Sequence, residues 1–153
     1  MRFSARRDIE SSAEDVFAFL TDYAGHESLA ARRGVRIERI EKPGGSADRP
    51  AWSAEFQYGG RERKITIAVT NAVAPERLES DVYYQGLDVQ VEVELVPLAR
   101  TRTRMITKID LIPQSIKARL VVQSLRLAKA TIQRRLERRL ETLAAEIETR
   151  KRS

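Results

Sequence analysis

The hydrophobic positions of this chain change period three times. Phe3, Ala5, Arg7 and Ile9 alternate with Arg2, Ser4, Arg6 and Asp8, which predicts a short opening strand. Ser11 then precedes Glu14 by three positions, the spacing of a capping box, and Val16, Phe17, Phe19 and Leu20 form one apolar helical face. Tyr23-Ala24-Gly25-His26 predicts a break, with Asp22 capping the turn. Residues 27–33 predict a second short helix, ended by Gly34.

Runs of period two follow. Residues 35–42 read as a strand. Trp52, Ala54, Phe56 and Tyr58 form one alternating set, and Gly59-Gly60 marks a two-residue hairpin before Arg63, Ile65, Ile67 and Val69. Leu78, Ser80, Val82 and Tyr84 lead to a turn at Gly86, then to Val89, Val91, Val93 and Leu95. Pro97 is read as starting a turn, after which Thr101, Thr103, Met105, Thr107, Ile109 and Leu111 share a face. Clean alternation of this kind suits antiparallel strands with one face in water. Beyond Pro113 the period becomes helical: Ile116, Leu120, Leu125, Ala128, Ile132, Leu136, Leu140, Leu143 and Ile147 recur at three to five residues. Residues 114–150 are therefore read as a long amphipathic helix that either overhangs the sheet or bends, the bend then falling near residues 119–124, where the apolar spacing slips.

The implied fold class is α+β: a curved antiparallel sheet of about seven strands around a long C-terminal helix, with two short helices after the first strand. The helix stripe at residues 125–143 is expected to lie on the sheet face carrying Trp52, Phe56, Ile65, Ile67, Val91 and Val93. One helix cannot fill the concave side of such a sheet, so a cavity is expected. A length of 153 residues fits one domain, 1–153.

Composition narrows the classes. Hydrophobic residues make up 42% and charged residues 33%, the balance of a soluble globular chain. No apolar run reaches the roughly 18 residues that would span a bilayer. Arg2, Arg6, Arg7 and Asp8 interrupt the N-terminus, so no signal peptide is visible and a cytoplasmic location is expected. There is no Cys and one His, which excludes thiolate chemistry and a His-based metal cluster. Of the net charge of +6, residues 115–153 carry +7, from 11 basic and four acidic side chains.

The order of elements, together with Ile9, Ser11-Ser12-Ala13-Glu14-Asp15-Val16-Phe17 and Leu20-Thr21-Asp22, resembles the helix-grip (SRPBCC) superfamily. That superfamily includes START lipid-transfer domains, polyketide cyclases and the major birch pollen allergen. Ser12 stands where the family usually has Pro, and Ala30-Ala31-Arg32 where it has an aromatic residue. The resemblance implies a hydrophobic pocket between sheet and terminal helix. It does not imply one activity.

The residues expected to line that pocket are Trp52, Phe56, Tyr58, Ile65, Tyr84, Val91, Met105 and Thr107: apolar walls with a few polar groups to orient a ligand. Substituting Tyr84 or Met105 is accordingly expected to change ligand affinity. Arg63 falls on the same face and is read as an edge residue with its head in water. The alternative is a counter-ion for an acidic ligand head. His26 reads as a loop residue rather than a base paired with Asp22. No catalytic constellation, metal cluster or phosphate-binding loop is apparent, and no cofactor is expected. The sequence thus favours binding or transport of a hydrophobic or amphipathic small molecule (a lipid, quinone or polyketide-like compound). A polyketide cyclase/dehydratase-like enzyme is the alternative. A further one is an interaction module, in which Arg134, Arg135, Arg138 and Arg139 meet an anionic membrane or acidic partner. The absence of aromatic residues among those arginines disfavours nucleic acid.

Overall fold

The computed structural model describes residues 1–152, with side chains through Arg150. The elements are β1 (Arg2–Ile9), α1 (Ala13–Leu20), α2 (Tyr23–Arg32), β2 (Arg36–Ile40), β3 (Ala51–Tyr58) and β4 (Arg61–Val73). They continue with β5 (Arg77–Tyr84), β6 (Leu87–Ala99), β7 (Arg102–Pro113), α3 (Ile116–Leu125), a 3-10 turn (Arg126–Ala128) and α4 (Lys129–Arg152). Seven antiparallel strands form one curved sheet in the order β1-β7-β6-β5-β4-β3-β2. Strands β2 to β7 are a meander. The α1–α2 segment carries the chain from one edge of the sheet to the other, which frees β1 to pair with β7.

Local chemistry accounts for most boundaries. Gly59-Gly60 joins β3 to β4 with both residues at positive φ, as a tight right-twisted hairpin requires. Ser12, not Ser11, caps α1: its side chain accepts from the Asp15 amide at 3.1 Å. Ser11 is engaged by the tertiary structure instead, its carbonyl accepting from Thr103 Oγ1 at 2.8 Å. Asp22 caps α2 through the Gly25 amide, so residues 23–26 are the first turn of a helix rather than a break. Pro97 lies within β6, next to a register shift against β7, and the turn follows Ala99.

Residues opposite one another in neighbouring strands share a face. The register carries one concave face across the sheet. It comprises Phe3, Ala5 and Ile9 of β1, then Thr103, Met105, Thr107 and Ile109 of β7, then Val89, Val91, Val93 and Leu95 of β6. Leu78, Ser80, Val82 and Tyr84 of β5 continue it to Arg63, Ile65, Ile67 and Val69 of β4 and Trp52, Ala54, Phe56 and Tyr58 of β3.

The terminal helix covers this face differently from the sequence expectation. The helix breaks at the 3-10 turn Arg126–Ala128, just past the expected bend. It then runs along edge strand β1, where Gln133 Nε2 donates to the Ser4 carbonyl at 2.7 Å. The stripe that reaches the core is Leu136, Leu140, Leu143, Ala144 and Ile147, packed with Ile9, Val16, Leu95 and Met105. The 125–143 stripe does not cover Trp52, Phe56, Ile65 and Ile67. The physical reason is that the apolar stripe of α4 is taken up by β1, α1 and the Leu95–Met105 end of the sheet.

Candidate functional site

The concave face has two unlike ends. At one end Ile9, Leu95, Thr103 and Met105 are buried beneath α1 and α4. Trp52 is also buried, beneath α2: its ring packs against Tyr23 at 5.5 Å between centroids, and Nε1 donates to Glu27 Oε1 at 2.8 Å. At the other end Phe56, Arg63, Ile65, Ile67, Val82, Tyr84, Val89 and Val91 are only half-buried. That end lies toward the β3–β4 and β5–β6 hairpins and toward α3, which follows Pro113 opposite Leu87.

The eight residues expected to line a pocket therefore share one face but occupy different settings. Met105 and Trp52 are taken up by packing. Tyr58 stands at the rim, 68% exposed. Phe56, Ile65, Tyr84 and Val91 form accessible wall. Thr107 is buried between Ala5 and Val93, and its hydroxyl has no hydrogen-bond partner among the described residues. A buried hydroxyl left this way carries a desolvation cost, and a ligand atom or a water could relieve it.

Sequence reasoning understated Arg63. It lies on the concave face opposite Phe56 and is half-buried. Its Nη1 donates to the Tyr84 hydroxyl at 2.6 Å, and its Nε to the Tyr58 carbonyl at 3.4 Å. Both acceptors are neutral, and no carboxylate among the described residues pairs with it. The signal was present in the strict alternation of β4, which puts residue 63 in phase with Ile65 and Ile67. What the alternation could not supply was the phenol from β5. No Asp, Glu or His shares the concave face of β3–β7, because every carboxylate of those strands lies on the opposite face.

His26 lies in α2 rather than in a loop. Its Nε2 donates to the carbonyls of Phe19 and Leu20 at 3.0 and 3.1 Å, which ties α2 to the end of α1. A cleft of about 600 Å³ lies beside it between α2 and α4, walled in part by Phe19, Leu29 and Leu143. The four arginines 134, 135, 138 and 139 are exposed on α4, interleaved with Glu137 and Glu141. Among the described residues no group of three or more His, Cys, Asp or Glu side chains could hold a metal ion. No helix among them is long and apolar enough to cross a membrane.

One titrating group is bonded to the buried Trp52. The Trp52 indole N–H, and with it the Arg39 guanidinium, keeps the Glu27 carboxyl below its ordinary value of 4.5. A depressed carboxylate stabilises the fold above its unfolded pKa and loses that contribution as pH falls through the folded value. Glu27→Gln should therefore lower the urea midpoint at pH 7. The gap to the wild type should close on acidification below about pH 4.5. A gap independent of pH would place the effect in packing instead.

Sheet, helices and half-covered face together define a helix-grip α+β fold. The chain belongs to the family of polyketide cyclase / dehydrase and lipid transport proteins, whose model matches residues 1–148. No curated protein matches its sequence. Among solved structures it resembles TTHA0849 from Thermus thermophilus, with a TM-score of 0.67 and 14% identity, over 96% of this chain and 97% of that one. It also resembles the Zhui aromatase/cyclase from Streptomyces sp. R1128, with a TM-score of 0.65 and 12% identity over 98% and 94%. A START superfamily protein from Mycobacterium smegmatis is similar at a TM-score of 0.56 and 13% identity over 88% and 95%. At these identities the likeness is one of fold.

Proposed function

We propose that the chain binds an amphipathic small molecule on the half-buried end of the concave face. The apolar body of the ligand lies on Phe56, Ile65, Ile67, Val82 and Val91. Its polar or anionic head meets the Arg63 guanidinium and the Tyr84 hydroxyl. The observation that carries this reading is Arg63: a cation on an apolar face, held by two neutral oxygens and by no carboxylate among the described residues. A cation in such surroundings gains from an anionic partner, because a charge-assisted hydrogen bond is roughly twice as strong as a neutral one. The absence of a carboxylate or imidazole from the same face of β3–β7 favours a carrier over a cyclase or dehydratase that would use one within hydrogen-bond reach of the ligand. Lipids, quinones and polyketide-like compounds all have the required apolar body, and the anionic or strongly polar head is the more selective feature.

The test is a titration of lipid-stripped protein with a fluorescent fatty acid and with its methyl ester. Hydrogen bonds to charged groups contribute about 1.5–3 kcal/mol, so Arg63→Leu should weaken acid binding roughly 10- to 100-fold. Ester binding should change little. Equal affinity of the wild type for acid and ester would overturn Arg63 as the anchor. No saturable binding of either compound would overturn the carrier reading.

A further inference from the structure

Helix α3 is apolar on two opposite sides. Its inward side, Ala118 and Val122, is buried. Its outward side carries Ile116 at 79% exposure and Leu120 at 59%, and Val121 on the flank is 46% exposed. The 3-10 turn adds Leu127 at 94%. At 3.6 residues per turn, positions 116, 120 and 127 fall on one stripe, opposite 118 and 122. Lys117 borders that stripe on one side, and Arg119 and Arg126 on the other. Between Asp110 and Glu137 the sequence contains no acidic residue and six basic ones: Lys117, Arg119, Arg126, Lys129, Arg134 and Arg135.

A solvated helix puts polar residues outward, and single exposed leucines call for no explanation. Three large aliphatic side chains on one stripe, bordered by cations, do call for one. We infer that α3 and the turn after it dock on an anionic membrane surface, with Ile116, Leu120 and Leu127 entering the acyl boundary and the flanking cations meeting lipid phosphates. An apolar stripe with basic flanks is the pattern of a helix lying in the bilayer interface. Charge also argues against a second copy of this chain as the occupant. A two-fold contact through the stripe would set the cations of one copy against those of the other. The four arginines of α4 fit the role less well, because Glu137 and Glu141 interleave with them and no exposed apolar stripe accompanies them. The docking surface lies next to the accessible end of the concave face, which would let an amphipathic ligand pass between bilayer and protein. That last consequence rests on the ligand reading, whereas the docking does not.

Co-sedimentation of the full chain with vesicles tests the inference. One set is phosphatidylcholine alone and the other phosphatidylcholine with phosphatidylglycerol. Leu120→Gln/Leu127→Gln changes two exposed positions and should leave the melting temperature unaltered. Arg134→Gln/Arg138→Gln removes charge from α4. The wild type should bind the anionic vesicles and bind the neutral ones weakly. The leucine variant should lose roughly tenfold or more, since burying a Leu side chain is worth about that much. The α4 variant should stay within about threefold of the wild type, since charge away from the inserted stripe contributes only a screened attraction. Absence of wild-type binding to anionic vesicles would overturn the inference. So would equal binding by the leucine variant, or a loss confined to the α4 variant. A concentration-dependent dimer that the leucine variant abolishes, without vesicle binding, would assign the stripe to self-association and overturn it as well.

Discussion

Met105→Ala should lower folding stability by roughly 2–5 kcal/mol, the range for truncating a large buried side chain to Ala. Met105 is fully buried, at 0% exposure, within the cluster that joins the sheet to both helical layers. Ile9 and Leu95 lie beside it on the sheet, Val16 comes from α1, and Leu140, Ala144 and Ile147 come from α4. Removing its side chain leaves a void that all three elements border, and a packed core relaxes into such a void only partly. In a chain of this size each kcal/mol corresponds to about 2–4 °C of melting temperature. Denaturant unfolding of the variant beside Val91→Ala provides the comparison. Val91 shares the face but is half-buried, and so has less to lose. Equal losses in the two variants would show that the face is uniformly packed and has no accessible end. Met105 was expected from sequence to act in ligand affinity, and the structure places it fully buried in this cluster.

Gly86→Ala should cost more than its size implies, roughly 2–3 kcal/mol from two separable sources. Gly86 adopts φ +81°, where an L side chain is strained. A Cβ there would also sit 2.6 Å from Ser115 Oγ and 3.2 Å from Ser115 Cβ. The Ser115 hydroxyl caps α3 by accepting from the Ala118 amide at 3.1 Å. The added methyl would displace that cap as well as strain the turn. Gly60→Ala isolates the first source, because Gly60 has φ +74° and no atom within 4 Å of where the methyl carbon would stand. The expected result is a loss of about 1 kcal/mol for Gly60→Ala and at least twice that for Gly86→Ala. Faster amide exchange should accompany the second and concentrate in α3. Equal losses, with α3 undisturbed, would mean that Ser115 simply rotates away. The outcome bears on function because the β5–β6 turn and the Ser115 cap are what hold α3 beside the accessible end of the concave face.

The division of the sheet into two faces was legible in the chain, since side chains alternate with a period of two and the polar residues follow it. Trp52, Phe56, Tyr58, Ile65, Tyr84, Val91, Met105 and Thr107 could be placed on one face from that period alone. Gly59-Gly60 and Gly86 announced their hairpins, because only residues tolerant of positive φ allow such tight turns. The helical period after Pro113 and the family resemblance of residues 11–22 completed the architecture. The N-cap of α1 was missed by one residue, since Ser11 and Ser12 are chemically equivalent until Thr103, from the far end of the chain, engages the Ser11 carbonyl.

What each residue on the face does was decided by tertiary structure. A helical stripe states that a helix packs, but not where along a sheet it lands. Helix α4 lies along β1, so Met105 becomes core while Phe56, Ile65 and Tyr84 remain accessible. Trp52 is covered by Tyr23 and Glu27 from α2, more than twenty positions earlier in the chain. The pairing of Arg63 with Tyr84 exists only through the register of β4 on β5. Ile116 and Leu120 were read from sequence as part of one amphipathic pattern, to which Leu127 did not belong. A period of 3.6 marks apolar positions without saying which of two opposed stripes faces the protein, and only the tertiary structure buried Ala118, beside Gly86, and Val122 and left Ile116, Leu120 and Leu127 outside.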